Sequence, residues 1–467
     1  MLKIRIYSDT NNLLVKEHHF IGLKLLSAFS IGCIGSGQMF LPIFYKKVLG
    51  LGNDKIGFIF SITPFVSFIA FPYWTSLIDK TGKYREIMIR NMLIALLCIL
   101  FIGLVPYLSS TEWIRIALTS IGCFGYAFFG YPIIAALVDT VILRVLAHRK
   151  DLYGRQKIGV PIGFATSVFL TGYLTEKLDS LYALFIVFAV YCLAFVITLS
   201  VVDINPHYYE PVAEDEEDDN TYGSMSPNST NINENGSSVE QVAAVVIEDV
   251  NDGIRVTPDP SMWHLLQEPE AVQFFTFMTT MGFAIAVVQA FLYLFMENDL
   301  HASSFLVGLF GPLGSITEII VFFFFKQVLH RLGARRMLAV AQCIIIYRCL
   351  TYIVCAQISW GAYLATATQV LHGVGFSMTW SAAALQADQL APPNLKSRAQ
   401  GLLNMAFNGL GSGIGAVVGG FIYERWGSTV MWAVVAALAA VSIVLYTSNF
   451  VLRIVFLPLS NLVKKHT

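Results

Sequence analysis

Three ionisable residues lie inside long apolar stretches of the C-terminal half, where a charge is costly. Glu318, Arg348 and His372 each stand among mainly aliphatic, aromatic and small neighbours. In a bilayer such side chains are tolerated when they face a water-filled cavity or pair with one another. A carboxyl group whose basic neighbour moves away tends to take up a proton. These residue types therefore predict a proton-coupling cluster or, alternatively, a static ion pair that fixes helix packing.

Polar residues of the N-terminal half, together with Gln289 and Trp380 of the C-terminal half, form a second candidate group. Asp139 ends an apolar stretch, and Lys157 follows it after a short polar segment. Gln38 and Gln289 occupy equivalent positions in two similar segments, where each could hydrogen-bond either a ligand or a neighbouring helix. Trp380 is a further candidate for the lining of a binding site. The two glutamines could line a cavity and hydrogen-bond a polar ligand, whereas Lys157 could alternatively be an ordinary basic residue on the cytoplasmic side of the membrane.

The composition requires membrane-spanning helices to position these side chains. Of the 467 residues, 56% are hydrophobic and 13% are charged, whereas soluble proteins carry about 25% charged residues. A spanning helix needs about 20 mostly apolar residues. Twelve apolar runs meet that need, at about 20–46, 55–78, 87–108, 113–143, 155–176, 180–203, 270–297, 302–328, 337–357, 359–387, 398–423 and 428–452. The predicted fold class is an all-α polytopic membrane protein.

The two halves of the chain resemble each other. The pattern Q-x-F-L-x-x-F at residues 38–44 recurs at residues 289–295, an offset of 251. Other residues match at an offset of 251 or 248: Gly57 with Gly308, Gly82 with Gly333, Arg85 with Arg336, Gly172 with Gly420, Glu176 with Glu424 and Ser180 with Ser428. A nearly constant offset along the whole half indicates an internal duplication. The chain is therefore predicted to consist of two parallel six-helix repeats.

An acidic segment from about Asp203 to Glu270 separates the repeats. It holds sixteen Asp and Glu residues and a single basic residue, Arg255. Such a segment has too little apolar surface to offset the entropy of ordering, so we expect it to be disordered. The predicted domains are a tail at 1–19, a bundle at 20–203, a linker at 204–269, a bundle at 270–453 and a tail at 454–467.

Basic residues in the connections predict the orientation in the membrane. With the N-terminus in the cytoplasm, twenty-two Lys and Arg residues fall on the cytoplasmic side and six on the other. Connections on the cytoplasmic side carry an excess of Lys and Arg. Both termini and the acidic linker are therefore expected to be cytoplasmic. Whether the membrane is the plasma membrane or a vacuolar or endosomal membrane stays open.

Two parallel six-helix repeats joined by a long cytoplasmic loop resemble the major facilitator superfamily. The connection after the second apolar run reads DKTGKYR at residues 79–85, close to the family pattern D-[RK]-x-G-[RK]-[RK]. The resemblance implies twelve helices whose two bundles rock about a central site. It also implies a conformational gate loop that includes Asp79, Gly82 and Arg85, with Gly333 in the equivalent loop of the second repeat.

The trio of acid, base and imidazole resembles the oligosaccharide/nucleoside:proton symporter branch, which includes lactose permease, and the superfamily's associated-domain group. In that branch the trio lies on helices 8, 9 and 10, which implies proton coupling by Glu318, Arg348 and His372. Lactose permease has a second acid three residues after the histidine, where this chain has Gly375. Either Glu318 carries the coupling here, or the protein is an uncoupled facilitator.

The same resemblance implies a substrate role for Asp139, Lys157 and Phe164. Lactose permease has an acid, a base and an aromatic residue at these spacings, and they hold its sugar. Here Lys replaces Arg and therefore lacks its bidentate geometry, and Phe replaces Trp. Gln38, Gln289 and Trp380 complete the predicted substrate site by lining the cavity.

These features predict a secondary active transporter of a small polar solute that works by alternating access and is coupled to protons. The alternatives are an uncoupled facilitator and a receptor or partner-binding protein on a transporter scaffold. An enzyme is not expected, because no nucleophile elbow, phosphate loop or metal-ligand spacing occurs. We expect no cofactor and no metal. The expected partners are the solute, protons and the lipid bilayer, without nucleic acid, and the protein is expected to be a monomer.

Overall fold

The structure is a computed structural model that describes residues 10–146, 156–202, 204, 268–391 and 396–448. It does not describe the side chains of residues 10–20, 79, 326 and 396–398. All regular elements in the described ranges are helices, which confirms the predicted all-α fold class. The acidic linker lies outside the described residues except at its two ends, and the predicted C-terminal tail lies outside them entirely.

The first half follows the predicted apolar runs, with one of them broken in two. Its described helices are α1 (Thr10–Lys47), α2 (Asn53–Thr81), α3 (Tyr84–Leu108), α4 (Glu112–Phe129), α5 (Ile133–Leu146), α6 (Gly159–Leu178) and α7 (Ala183–Val201). The predicted run 113–143 contains both α4 and α5. The break falls at Gly130, Tyr131 and Pro132, because proline has no N–H to donate to the preceding turn and glycine weakens a helix.

The second half repeats this arrangement with more interruptions. Its described helices are α8 (Pro269–Asn298), α9 (Ser304–Gly308), α10 (Phe310–Phe323), α11 (Phe325–Leu332), α12 (Ala334–Cys355), α13 (Gly361–Ala367), α14 (Gln369–Leu390), α15 (Lys396–Asn404) and α16 (Ser412–Thr447). A π-helical segment, Met405–Gly411, joins α15 to α16. The backbone of α16 leaves helical geometry at Gly427, with φ 83° and ψ 171°, so α16 contains parts of the last two predicted runs.

Hydropathy and length identify fewer spans than the apolar runs predict. Nine helical segments in the described residues are long and apolar enough to cross a membrane, and the longest, Ala399–Thr447, covers two predicted runs. Two predicted runs, 155–176 and 359–387, are absent from this set. Both belong to helices with many polar or small residues, α6 and α14. Phe164, His372 and Trp380 lie on these two helices, as expected where a helix faces a polar interior.

The centre of the bundle is formed by α1 and α8, which are equivalent helices of the two repeats. Their most apolar windows are 83% and 78% buried, against 33–50% for the other candidate spans. Around them, α1 packs against α6 and α7, while α8 packs against α16. The outer helices expose apolar side chains such as Leu97 and Phe323, which suits lipid. The two central helices also contact each other, so the repeats meet along their equivalent first helices.

The halves contact each other closely at two equivalent glycine crossings. In one, Gly57 of α2 meets Gly420 of α16, where a Cβ on Gly57 would lie 3.1 Å from the Gly420 Cα. In the other, Gly172 of α6 meets Gly308 of α9, where a Cβ on Gly172 would lie 2.6 Å from the Gly308 Cα. The repeat offset matches Gly57 with Gly308 and Gly172 with Gly420, so each crossing is the equivalent of the other with the two halves interchanged. They lie at the end of the bundle that carries the α1–α2 connection, residues 48–52, which we call the closed end.

Candidate functional site

An ion pair joins two consecutive helices of the first half in the bundle interior. The Nζ of Lys157, just before α6, lies 2.6 Å from Oδ1 and 2.7 Å from Oδ2 of Asp139 on α5. The two side chains are 36% and 34% exposed. Because the ammonium donates to both carboxylate oxygens, Asp139 holds Lys157 firmly while leaving part of both groups accessible. Both are predicted substrate-site residues, and the structure brings them together.

Glu318 lies where α10 of the second half packs between α14 and α6. Its backbone is held against α14: a Cβ on Gly373 would lie 2.7 Å from the Glu318 nitrogen, and the Ser377 hydroxyl donates to the Glu318 carbonyl at 3.3 Å. The Lys157 ammonium attracts the Glu318 carboxylate electrostatically. Lys157 therefore interacts with one acid in each half of the protein.

Arg348 occupies a different environment, inside the second half. It is 3% exposed. Its Nη1 lies 3.0 Å from Nδ1 of His372, and its Nη2 donates to Oε1 of Gln369 at 3.1 Å. The guanidinium carbon also lies 5.6 Å from the ring centre of Tyr352. Because a guanidinium can only donate, Nδ1 of His372 must accept, so this imidazole is neutral and carries its proton on Nε2.

The predicted cluster of acid, base and imidazole is therefore divided in this conformation. Arg348 and His372 are in contact, whereas the charge that acts on Glu318 is that of Lys157. The cause is helix order: α10 packs against α14 and α6, and α12, which carries Arg348, packs against the other side of α14. Position along the chain showed that each of the three residues lies in an apolar stretch, but it could not show the order in which the helices that carry them pack.

A cavity of about 360 Å³ adjoins Arg348 and His372. Gln289 and Thr379 add polar groups to its wall, which Gly375 also lines. The rest of the wall is apolar, including Ile285, Val288, Ile344, Ile345, Leu371 and Phe376. A mostly apolar pocket with a few convergent polar groups is typical of a small-molecule site. Of the predicted site residues, it brings together Gln289, Arg348 and His372.

The other predicted lining residues do not line this cavity. Gln38 is half-buried on α1, and Phe164 is half-buried against the apolar core. Trp380 packs against Phe407 of the π-helical segment, with ring centres 5.1 Å apart. The structure thus places the predicted residues in two separate groups, one at the interface between the halves and one within the second half.

The predicted gate loops show backbone conformations that favour glycine. Gly82 ends α2 in the left-handed region, with φ 65° and ψ 4°, and Gly333 precedes α12 with φ 73° and ψ 158°. Arg85 donates to the Val202 carbonyl at the end of α7, at 2.5 Å. The side chain of Asp79 lies outside the described part. The loop geometry therefore ties α3 to the last helix of its own repeat.

In the second repeat, the residue that makes the equivalent contact is one position earlier than the sequence match indicates. Arg335 donates to the Tyr446 carbonyl near the end of α16, at 2.7 Å. A cation at a helix C-terminus interacts favourably with its unpaired carbonyl groups. Arg335 is thus the structural counterpart of Arg85, although the offset pairs Arg85 with Arg336.

Two glutamates at the closed end have a role that sequence reasoning missed. The carboxylate of Glu424 accepts from the backbone N–H of Asn53, at the start of α2, at 2.6 Å. The carboxylate of Glu176 accepts from the N–H of Phe305, in the first turn of α9, at 2.7 Å. Each repeat therefore caps a helix of the other. The match of Glu176 with Glu424 in the duplicated sequence was the available signal, but it did not indicate the partner.

The sequence comparisons agree with this architecture. The model of the MFS_1 like family matches residues 20–434. The maltose permease of Geobacillus stearothermophilus is 22% identical over 397 residues, which is 83% of each chain. A major facilitator superfamily domain-containing protein 6-like protein A from Xenopus laevis is 26% identical over 152 residues, or 32% of this chain and 24% of that one.

Solved structures show the same fold. The nucleoside transporter NupG superimposes with a TM-score of 0.69 at 17% identity, covering 92% of this chain and 99% of that chain. A bacterial homologue of the iron transporter ferroportin, in an inward-facing state, superimposes with a TM-score of 0.59 at 14% identity, covering 93% and 99%. With a family model that spans most of the chain, the conclusion is that this protein belongs to the MFS_1 like family and is a multi-pass helical membrane transporter of the major facilitator superfamily.

Proposed function

We propose that this protein is a secondary active transporter that moves a small polar solute, a sugar, a nucleoside or a similar compound, by alternating access coupled to protons. The class of solute is supported by two relatives, a maltose permease and a nucleoside transporter. The observation that carries the proposal is that Lys157, which is paired with Asp139 of the first half, also attracts the Glu318 carboxylate of the second half, whose helix α10 packs against α6.

The charges of Lys157, Asp139 and Glu318 at the interface between α6 and α10 suggest a coupling mechanism. With Glu318 ionised, Lys157 attracts an acid on each half, which opposes movement of α10 away from α6. When Glu318 is protonated, this attraction is lost, and Lys157 remains neutralised by Asp139. The halves can then move apart at this position without exposing an unpaired charge to a low-dielectric interior. Protonation and rocking would thereby be linked.

The conformation fits one state of such a cycle. The glycine crossings and the two glutamate caps hold the closed end together. The distribution of Lys and Arg assigns the opposite end, which carries the termini, to the cytoplasm. We infer that this is an inward-facing state. The outward-facing state would require both glycine crossings and both caps at the closed end to separate.

Uptake by the full-length protein in proteoliposomes tests the proposal. The probes are maltose, uridine and D-glucuronate, each with and without an inward proton gradient, with external pH recorded. We expect accumulation of at least one probe that depends on the gradient and is accompanied by proton entry. Uptake that only equilibrates, with no change in pH, would indicate an uncoupled facilitator. Absence of uptake for all three probes would contradict the proposed solute class.

A further inference from the structure

Arg348 is a buried cation that lacks an acidic partner in the described part of the chain. No carboxylate there forms an ion pair with it. The groups around the guanidinium are the neutral imidazole of His372, the amide of Gln369 and the ring of Tyr352. Its Nε is buried without a hydrogen-bond acceptor among the described residues. Because an arginine in a protein stays protonated, this positive charge needs a counter-ion.

The space for a counter-ion lies next to this cation. Arg348 and Gly375 both line the cavity of about 360 Å³. A Cβ on Gly375 would meet only ordinary contacts, the nearest being Cγ2 of Ile344 at 3.4 Å. Gly375 follows His372 by three residues on α14 and therefore lies on the same helix face. The position could accommodate an acidic side chain facing Arg348, but the chain provides only a hydrogen atom there.

From this arrangement we propose that the cavity binds the anionic group of the transported solute, with Arg348 as its counter-charge. The proposal rests on the transport function proposed above and narrows the solute to one that carries a carboxylate or a similar oxyanion. Arginine is suited to this role because its planar donors match the oxygens of a carboxylate.

The other wall residues fit an organic anion better than a bare inorganic one. Gln289 and Thr379 offer hydrogen bonds to the polar part of a solute, while Leu371 and Phe376 offer apolar contact. The volume of about 360 Å³ includes space that is open to the surrounding solvent. The cavity therefore suits the charged group of a small acid, and the rest of the solute would extend beyond it.

Matched pairs of acid and neutral compound test the proposal in the purified full-length protein in nanodiscs. The probes are benzoate with benzamide and D-glucuronate with D-glucose, at constant ionic strength, with thermal stabilisation as the readout. For at least one pair we expect the affinity for the acid to exceed that for the neutral compound by a factor of about ten or more. If neither acid binds more tightly than its neutral partner, the proposal is wrong.

Two substitutions of Gly375 separate the effect of an added negative charge near Arg348 from the effect of added volume. Gly375→Asp supplies an internal counter-charge, and Gly375→Asn adds nearly the same volume without it. We expect the preference for the acid to fall about tenfold further in Gly375→Asp than in Gly375→Asn. Equal preference in the two variants would overturn the proposal. Arg348→Met should also abolish the preference, but Gly375→Asp keeps the test valid if that variant does not fold.

A chloride titration separates the organic anion from an inorganic one. Stabilisation by sodium chloride that responds to Gly375→Asp, with no preference for either acid, would contradict a solute site and indicate a chloride site instead. The outcome is independent of the transport experiment, because binding is measured without uptake. If neutral maltose or uridine accumulates with protons while no acid is preferred, the proposed function stands and this inference fails.

Discussion

At the scale of single residues, Lys157 is the centre of the proposed mechanism because it interacts with an acid in each half. Asp139 compensates its charge throughout, whereas Glu318 does so only while ionised and close. Arg348 forms a separate centre with its own unmet charge. The two proposals therefore give the two cations different roles: Lys157 is proposed to link protonation to movement, and Arg348 is proposed to bind the anionic part of a solute.

Removal of the Lys157 charge should leave two acids without their counter-charge. For Lys157→Met we expect a loss of stability of about 1–2 kcal/mol, less than the ~3–5 kcal/mol of a fully buried pair, because both partners are about a third exposed. The double variant Asp139→Asn/Lys157→Met should recover most of this loss. Thermal melting in detergent measures both. A double variant as unstable as Lys157→Met would show that charge pairing is not the cause.

Sequence alone predicted part of the site, but it could not predict the parts that depend on how distant helices pack. Asp139 and Lys157 were recognisable because each borders an apolar run near the same connection, so local chain geometry brings them together. The relation of Glu318 to Lys157 depends on α10 lying beside α6, which no local pattern encodes. In the same way, the separation of Arg348 from Glu318 follows from the position of α14 between their helices.

At the scale of elements, the glycine crossings decide how closely the halves approach at the closed end. The sequence matched Gly57 with Gly308 and Gly172 with Gly420 by offset. The structure adds that each glycine meets a glycine from the other pair, Gly57 with Gly420 and Gly172 with Gly308. Helix breaks were less predictable, because Gly and Pro occur inside helices as well as at their ends.

A larger side chain at a crossing should hold the closed end open. In Gly57→Leu, the added atoms would overlap the Ala416 carbonyl of α16. With native cysteines replaced, spin labels at Lys55 and Arg425 should report a longer distance than in the parent protein. Gly401→Leu is the matched control, because a Cβ there meets nothing within 4 Å. An unchanged distance in Gly57→Leu would mean that the crossing does not set the approach.

The glutamate caps should stabilise the same closed end through charge. Glu176→Gln and Glu424→Gln each replace a charge-assisted hydrogen bond to a helix N-terminus, worth about 0.5–1 kcal/mol, with a neutral one. With the same spin labels at Lys55 and Arg425, we expect each variant to increase the fraction of molecules that show the longer distance between the labels. The double variant should increase this fraction further. Glu112→Gln, an exposed acid in the first turn of α4, is the control. The interpretation fails if Glu176→Gln and Glu424→Gln give the same distances as Glu112→Gln.

At the scale of the whole molecule, two similar bundles pack against each other, and an acidic segment separates them in the sequence. The fold class and the family followed from composition, duplication and loop charge, because these properties are spread over hundreds of residues and do not depend on any one contact. The linker lies outside the described residues, so its disorder stays a prediction.

The linker should serve as a connection and not as the functional part. Replacement of residues 210–260 by a Gly/Ser sequence of the same length should leave solute uptake within about twofold, because a flexible chain of equal length allows the same relative motion of the halves. Uptake in proteoliposomes measures this. If this replacement abolishes function while substitutions of Glu318, Arg348 and His372 do not, the receptor hypothesis would be favoured instead.

The central claim is that Glu318 couples protons to solute movement, and one comparison tests it most directly. In proteoliposomes, Glu318→Gln and the control Glu112→Gln are compared for solute exchange without a gradient and for accumulation driven by a proton gradient. We predict that Glu318→Gln retains exchange but loses proton-driven accumulation and the accompanying pH change, while the control retains all three. Proton-driven accumulation that survives in Glu318→Gln would contradict the account.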